Sequence, residues 1–209
     1  MKSSPGKKLF AFDSLQSGQV PGLIAGVDEV GMGPLAGPVV AAAVIFNPSI
    51  QPFPVNDSKK LTPLERQKLF HKILEYASVG IGIVEPSLID EINIYQAGRL
   101  AMRKAVLSLP RTPDFLLVDG RVTIDLPLPQ KSIIKGDTQS ASIAAASIIA
   151  KVYRDSLMEL VDEQYPEYDF KGHKGYGTPS HLKRIREHGP CPIHRRSFMP
   201  VREALQNLL

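Results

Sequence analysis

Residues 23–46 read LIAGVDEVGMGPLAGPVVAAAVIF, and this stretch decides the class of fold. A first apolar run ends at Asp28 and Glu29, glycines and prolines follow, and a second apolar run covers Val39–Phe46. Runs this short indicate buried strands, because a membrane span needs about 20 apolar residues. The stretch therefore predicts a strand, a loop and a second strand, with two carboxylates at the end of the first strand.

The remainder of the chain alternates strand and helix patterns. Thr62, Pro63 and Glu65 have the spacing of a capping box and predict the start of a helix. Further strands are predicted at 79–84, 115–118 and 132–134, and further helices at 93–109, 139–165, 180–188 and 201–208. This order predicts an α/β fold with a central mixed β-sheet flanked by helices and a helical C-terminal extension.

Three regions are expected along the chain. Residues 1–20 contain Ser, Gly and Lys with little periodicity, which predicts a flexible leader. Residues 21–170 form the predicted α/β domain, and residues 171–209 form a predicted basic helical segment packed on the same domain. The chain has 209 residues, and its 43% apolar content is typical of a globular protein, not of a disordered one.

Charge and cysteine content narrow the function classes. The net charge is +4, and the C-terminal segment alone carries +6. A basic segment beside an acidic body is typical of proteins that bind a polyanion, although a solvated basic helix explains the charge equally well. The single cysteine, Cys191, excludes an intramolecular disulfide. We therefore expect a protein of the reducing cytoplasm, with no membrane segment.

Carboxylates follow three of the predicted strands. Asp28 and Glu29 end the first strand, Asp119 follows the run 115–118, and Asp137 follows the run 132–134. Strand ends in an α/β sheet share one crevice, and four carboxylates there favour Mn²⁺ or Mg²⁺, as one or two ions. Each residue also has a structural explanation, since Asp119 suits a turn and Asp137 suits a helix cap.

The glycines after Glu29 do not form a dinucleotide-binding loop. Gly31, Gly33 and Gly37 have offsets of 0, 2 and 6, and a strand follows them instead of a helix. Glycines at 31 and 33 still allow the backbone to approach a ligand closely. Beside two carboxylates, that backbone is suited to a sugar hydroxyl or a phosphate.

Several motifs together carry a family resemblance. They are GVDEVGMGPLAGPVV at 26–40, NDSKKL at 56–61, VDG at 118–120, KGD at 135–137, AASIIAK at 145–151 with Arg154-Asp155, HKGYGT at 173–178 and RRSF at 195–198. In this order the chain resembles ribonuclease HII, the type 2 ribonuclease H family. The resemblance covers residues 22 to about 205, and its motifs are specific only in combination.

The resemblance implies a ribonuclease H-like fold and a metal-dependent endonuclease. Such an enzyme cleaves the RNA strand of RNA–DNA hybrids, including single ribonucleotides embedded in duplex DNA, and leaves 5′-phosphate and 3′-hydroxyl ends. By this similarity Asp28, Glu29, Asp119 and Asp137 are the catalytic and metal-binding residues, and Asp155 is a weaker candidate. We expect a monomer whose partners are these hybrid and ribonucleotide-containing duplexes.

Substrate contacts are implied by the same resemblance. Gly31 and Gly33 match glycines whose backbone senses the ribose 2′-hydroxyl, and Tyr176 matches a tyrosine that stacks on the sugar 3′ of the cut. Met32 stands where the family typically has Arg, so a cationic phosphate contact is missing. The basic residues expected to neutralise phosphates are Lys59, Lys60, Lys171, Lys174, Arg195 and Arg196.

Other functions were weighed from the residues. His188, Cys191 and His194 offer three zinc ligands where a structural site needs four, so we reject a zinc site. His181 and His188 are expected on the surface of a helix, with no role in catalysis. Two alternatives remain open at this point: a nucleic-acid-binding module without chemistry, and a two-metal nuclease acting on all-DNA substrates.

Overall fold

The computed structural model describes residues 5–19, 22–55 and 61–206, and within them the chain builds one mixed sheet covered by helices on both faces. The strands are β1 (Ile24–Val30), β2 (Val39–Phe46), β3 (Ala77–Val84), β4 (Phe115–Asp119) and β5 (Gln130–Ile133). They are ordered β3-β2-β1-β4-β5. The pairs β1–β2 and β2–β3 are antiparallel, whereas β1–β4 and β4–β5 are parallel. The predicted fold class is confirmed.

Eight α-helices lie within the described residues. They are α1 (Pro5–Gln19), α2 (Pro63–Tyr76), α3 (Pro86–Ile92), α4 (Ile94–Leu107), α5 (Ala141–Gln164), α6 (Phe170–His173), α7 (Pro179–His188) and α8 (Met199–Gln206). Short 3₁₀ turns occupy Gly136–Thr138 and Pro166–Tyr168. The central helix α5 packs against β1 and β2 on one face of the sheet, and α4 packs against β1, β2 and β3.

The strand β2 explains why its sequence is apolar without alternation. Val39, Ala41 and Ala43 belong to the core that contains α4, while Val40 and Ala42 belong to the core that contains α5. A strand covered on both faces buries every side chain, so it reads as a continuous apolar run. The predicted bounds of this strand are confirmed.

Small residues let α5 approach the sheet closely. The first turns of α5 consist mainly of buried Ala and Ser. On the sheet, a Cβ at Gly26 would overlap the backbone of Ser142 and Ile143. Because no side chain separates β1 from α5 at this point, the helix is held at a short distance from the strand that carries Asp28 and Glu29.

Helix α1 overturns the prediction of a flexible leader. Leu9 and Phe10 are buried, and the Phe10 ring lies 4.9 Å from Phe46, centroid to centroid. Asp13 Oδ2 accepts a hydrogen bond of 2.8 Å from the Ser142 N–H. The prediction for residues 1–20 is therefore wrong over Pro5–Gln19. The helix is stabilised by contacts distant in sequence, and its own apolar residues do not repeat at helical spacing.

The C-terminal segment packs on the loop between β1 and β2. The Leu35 N–H donates to the Gly175 carbonyl at 2.8 Å, and Ala36 forms an isolated antiparallel bridge with His194. The prediction that His181 lies on the surface is wrong, because His181 is fully buried, whereas His188 is exposed. A hydropathy pattern treats every histidine as polar, so the sequence of α7 gives no sign that His181 lies on the buried face of the helix.

Within the described ranges, no helix combines the length and apolar character needed to cross a membrane.

Candidate active site

A cavity of about 370 Å³ opens where β1 and β4 end. The parallel register places Val27 beside Val118, so the next residues, Asp28 and Asp119, emerge side by side. The cavity is lined by Asp28, Glu29, Val30, Gly31, Met32, Gly33, Arg66, Asp119, Lys135, Asp137, Ser147, Lys151 and Tyr176. The structure therefore brings together the four predicted carboxylates, the two predicted glycines and the predicted tyrosine.

Asp28 is a buried carboxylate of this cavity with other carboxylates close to it. Its side chain is buried, and its Oδ1 accepts a hydrogen bond of 2.8 Å from the Glu29 N–H. Burial raises the pKa of Asp28 well above its usual value, and the charges of Glu29 and Asp119 raise it further. The side chain of Ser147 opposes this shift through a hydrogen bond. Three carboxylates thus crowd a poorly solvated volume, which is an arrangement that a cation stabilises.

Asp119 and Asp137 are linked through the turn after β5. Asp119 Oδ1 accepts a hydrogen bond of 2.6 Å from the Gly136 N–H, the residue immediately before Asp137. Asp137 is buried in the 3₁₀ turn and does not cap α5, because Ser140 is the N-cap and accepts from the Ile143 N–H. The structural explanation of Asp137 as a helix cap is therefore wrong.

The donor set suits a hard divalent cation. Carboxylate and hydroxyl oxygens are the ligands that Mg²⁺ and Mn²⁺ prefer, and Mg²⁺ retains waters and substrate phosphates in its shell. Among the described residues, no three His, Cys, Asp or Glu side chains form a ready-made metal cage. The residues Asp28, Glu29, Asp119 and Asp137 fit an ion that is completed by water and phosphate.

Residues 31–38, called here the glycine loop, are held by Arg195. This guanidinium is fully buried and donates to four carbonyls of the loop, at distances of 2.6 to 3.3 Å: Gly31, Met32, Pro34 and Gly37. All five of its N–H donors are used. The prediction that Arg195 neutralises a phosphate is therefore wrong, because a buried and fully bonded guanidinium cannot reach a nucleic acid.

A second buried arginine holds the other side of the glycine loop. Arg154 on α5 donates to the carbonyls of Ala36, Pro38 and Lys174, at 3.1, 2.9 and 3.0 Å. Gly31 has a φ of +93°, and a Cβ there would overlap Arg154 Nε. The loop conformation therefore requires glycine at 31 for both its dihedral angle and its space.

Tyr176 and Met32 lie on either side of Gly33. A Cβ built on Gly33 would lie 3.8 Å from Cε1 of Tyr176, so the ring borders the glycine backbone while remaining 42% exposed. The Met32 thioether packs against α4, where a Cβ on Gly98 would lie 3.0 Å from its Sδ. The glycine loop is thus bordered by the partly exposed ring of Tyr176, and its own Met32 side chain is apolar.

Those of the remaining predicted residues that the structure describes do not line the cavity. Lys59 and Lys60 lie outside the described residues. The Lys174 ammonium pairs with Glu159 at 2.7 Å. The Arg196 side chain is exposed, and the Arg196 backbone N–H donates to Asp90. Asp155 pairs with Lys151 at 2.8 Å. The Lys174 ammonium is thus paired with a carboxylate, and the Asp155 carboxylate is paired with a lysine.

Besides Val30, four polar or charged residues that the sequence analysis did not assign to the site line the cavity: Arg66, Lys135, Ser147 and Lys151. Ser147 and Lys151 are four residues apart on α5 and so share one helix face, a spacing that was visible in the sequence. Lys135 was part of the KGD motif at 135–137 but was not assigned to the site, and Arg66 carried no signal, because α2 meets the cavity only through the tertiary fold.

Comparison of this chain with known proteins identifies a family that it matches. A family described as Ribonuclease HII matches residues 25–201. Ribonuclease HII of Lactobacillus johnsonii is 58% identical over 182 residues, which are 87% of this chain and 72% of the relative. Ribonuclease HII of Geotalea daltonii is 52% identical over 200 residues, which are 95% of this chain and 93% of the relative.

Solved structures share the fold. Ribonuclease H2 from Pyrococcus horikoshii superposes with a TM-score of 0.74 at 27% identity, covering 88% of this chain and 98% of that chain. Bst-RNase HIII, solved in complex with Mn²⁺, superposes with a TM-score of 0.67 at 19% identity, covering 88% and 70%. The second likeness concerns the fold alone.

Proposed function

Since this chain belongs to the ribonuclease HII family, we propose that the cavity at the ends of β1 and β4 is its active site. The chain is an endoribonuclease that cleaves the RNA strand of RNA–DNA hybrids, as members of this family do. Family membership decides against the two alternatives that the sequence left open, a nucleic-acid-binding module without chemistry and a two-metal nuclease acting on all-DNA substrates. The observation that carries the site assignment is the single cavity that collects four carboxylates, the glycine loop and Tyr176.

We assign the metal site to Asp28, Glu29, Asp119 and Asp137, called here the acidic cluster. The cluster would hold one or two Mn²⁺ or Mg²⁺ ions, supported by its oxygen donors and by the like-charge crowding around Asp28. When bound, such ions activate a water toward phosphorus and stabilise the leaving 3′-oxygen. The products would carry 5′-phosphate and 3′-hydroxyl ends.

Recognition of the ribose belongs to the glycine loop in this proposal. A ribonucleotide within DNA differs from its neighbours chiefly by one 2′-hydroxyl. The backbone of Gly31 and Gly33 borders the acidic cluster and approaches a ligand without interference from a side chain. We therefore propose that this enzyme also cleaves at single ribonucleotides embedded in duplex DNA.

Tyr176 supplies the contact to the sugar next to the recognised ribose in this proposal. Its ring borders Gly33, lines the cavity and is partly exposed. We propose that it stacks on the sugar 3′ of the cut and so sets the position of the scissile phosphate. Arg66 and Lys135 line the same cavity and would neutralise nearby phosphates, which gives binding that weakens with salt and does not depend on base sequence.

A cleavage assay with matched duplexes tests the reaction and its specificity together. One labelled DNA duplex contains a single ribonucleotide and its twin is all DNA, and each is incubated with and without Mn²⁺. The proposal expects cleavage only of the ribonucleotide-containing duplex and only with metal. Cleavage of the all-DNA twin would refute ribose recognition by the glycine loop, and full cleavage after chelation would refute the metal site.

Replacing one proposed ligand separates chemistry from binding. Asp119→Asn keeps an oxygen that can accept from Gly136 but loses its charge, so we expect cleavage to be abolished while hybrid binding is retained. The loss should exceed the roughly 100-fold that outer partners of metal ligands cost. Asp125→Asn, at an exposed position, is the matched control. Retained turnover in Asp119→Asn would contradict the assignment.

A cytoplasmic location and a monomeric state belong to the same proposal. Cys191 is the one cysteine of the sequence and has no partner for an intramolecular disulfide, which suits a reducing compartment. Sedimentation of the purified enzyme at micromolar concentration tests the monomer, and a dimer mass would refute it.

A further inference from the structure

Three histidines of the C-terminal segment form a cluster that the proposed chemistry does not use. His181 and His194 are 0% and 1% exposed, and His173 is half-buried. The rings of His173 and His181 stack with centroids 4.1 Å apart, and those of His181 and His194 lie 5.2 Å apart. Phe170 packs against all three rings. Buried polar rings need hydrogen-bond partners, and one partner of these rings is the backbone of Tyr176, which lines the proposed active site.

The partners determine which ring nitrogen of His194 and of His181 carries a proton. The Cys191 N–H donates to His194 Nδ1 at 3.0 Å, so that nitrogen is an acceptor and the proton of a neutral ring lies on Nε2. His181 Nδ1 lies 2.9 Å from the Tyr176 carbonyl oxygen, so Nδ1 is the donor and Nε2 is an acceptor. The two Nε2 atoms are 3.0 Å apart, which completes a donation from His194 to His181.

These bonds run in one direction along neutral rings. The order of donation is Cys191 backbone, His194, His181 and Tyr176 carbonyl. Burial lowers the pKa of His181 and of His194 to about 4, so both rings are neutral at neutral pH. A proton added to His181 Nε2 would replace the acceptor that His194 needs and would break the order.

His173 binds the backbone on the other side of Tyr176. Its carbonyl accepts from the Tyr176 N–H at 2.9 Å, and its Nδ1 accepts from the Gly175 N–H at 3.1 Å. Its Nε2 lies 2.8 Å from the Tyr168 carbonyl and therefore donates to it. Lys174 and Gly175 both have positive φ, at 52° and 83°. The main-chain carbonyl of His173 therefore binds the Tyr176 N–H, and the His181 ring binds the Tyr176 carbonyl, which also accepts from the Thr178 N–H at 2.8 Å.

We propose that His173, His181 and His194 are positioning residues that hold Tyr176 through its backbone, so that its ring faces Gly33 and the acidic cluster. The inference rests on the proposed function, because it assumes that Tyr176 contacts the substrate. The three residues touch neither substrate nor metal, and they act only through the placement of one ring. A purely structural cluster would stabilise the fold without any particular effect on Tyr176.

A spectroscopic measurement tests the hydrogen-bond order in the unmodified enzyme. With ¹⁵N-labelled histidine at neutral pH, we expect His181 as the Nδ1–H tautomer and His173 and His194 as Nε2–H tautomers. Any other tautomer at His181, or a doubly protonated ring, would overturn the proposed order. This readout depends on neither cleavage nor metal, so it is decided separately from the proposed function.

A double-mutant cycle tests the effect on Tyr176. His181→Leu removes both ring hydrogen bonds, and we expect kcat/KM on the ribonucleotide-containing duplex to fall by about tenfold or more, as misplacement of a contact group does. In a Tyr176→Ala background the same change should alter kcat/KM by less than about twofold. Equal losses in both backgrounds would overturn the positioning role.

Two further variants keep the cycle interpretable. His181→Asn places an amide N–H where Nδ1 lies, so it should recover most of the activity lost in His181→Leu and carries the test if His181→Leu does not fold. His188→Leu, at an exposed site on the same helix, is the control and should retain activity. Full activity of Tyr176→Ala itself would refute the use of Tyr176 in the proposed function, and with it the functional part of this inference.

Discussion

Arg195 and Arg196 are adjacent in the sequence and have opposite surroundings. The Arg195 side chain is fully buried and bonded to carbonyls of the glycine loop, while the Arg196 side chain is exposed. Burial lowers the pKa of Arg195 to about 9, which leaves the guanidinium charged at neutral pH. At the scale of single residues, one arginine therefore organises the glycine loop while its neighbour remains available to solvent.

A matched pair of substitutions measures this difference. Arg195→Lys replaces five directional donors by three and leaves buried carbonyls of the glycine loop without partners. We expect the free energy of unfolding to fall by about 3 kcal/mol or more. The same change at Arg196 should stay within about 0.5 kcal/mol. Urea titration of both variants checks this, and equal stabilities would contradict the buried role of Arg195.

Met32 allows a gain of binding to be predicted. The Met32 side chain lines the cavity and packs against Gly98 of α4, so it brings no charge to the substrate. Met32→Arg should tighten hybrid binding and steepen its salt dependence by a slope of about 0.9, the value of one added phosphate contact. Binding is measured by anisotropy in the Asp119→Asn background, with Met32→Leu as control. Unchanged or weaker affinity at matched salt would refute the expectation.

At the scale of elements, local signals predicted those elements that are stabilised locally. The capping box of α2 is present as predicted, with the Thr62 side chain accepting from the Glu65 N–H and the Glu65 side chain accepting from the Thr62 N–H. Helices α3 and α6 were not predicted, because seven and four residues are too few to show helical periodicity. Helix α1 was missed because its contacts are distant in sequence.

The cap of α2 provides a prediction at this scale. Thr62→Ala removes the acceptor for the Glu65 N–H, and we expect a loss of about 1 kcal/mol, which lowers Tm by about 2–4 °C. Thr62→Ser keeps the acceptor and should restore most of the loss. Thermal unfolding checks both variants. Identical melting of Thr62→Ala and the unchanged enzyme would mean that the cap contributes nothing.

At the scale of the whole molecule, the buried histidines couple stability to pH. The native pKa of His181 and of His194 is lowered to about 4, whereas an unfolded histidine titrates near 6.5. Between these values the unfolded chain binds protons that the native chain excludes, so the free energy of unfolding falls as pH drops from 6.5 to 4. Above pH 6.5 these two groups contribute no slope.

Chemical denaturation at several pH values measures this effect. We expect a loss of about 2 kcal/mol per ring, or about 4 kcal/mol from the buried pair, between pH 7 and pH 5. The double variant His181→Asn/His194→Gln should lose this part of the slope, whereas His188→Gln, at an exposed position, should keep it. A slope unchanged in the double variant would show that other groups carry the pH dependence.

The positions of the acidic residues at strand ends and the succession of strands along the chain were accessible from the sequence alone, whereas the order of the strands within the sheet was not. Strand ends, caps and apolar runs are properties of neighbouring residues, and so Asp28, Glu29, Asp119 and Asp137 could be placed at strand ends without coordinates. The glycine loop and Tyr176 were named only through the family resemblance, and the structure brings them to the same cavity.

Which charged side chains face that cavity was decided only by the tertiary structure. Arg195 meets the carbonyl of Gly31 across 164 positions of sequence, and His181 meets His194 inside the protein. Burial and hydrogen-bond partners of this kind depend on contacts between distant parts of the chain. No local pattern distinguishes a buried arginine or histidine from an exposed one, because both have the same side chain and differ only in what the fold places around them.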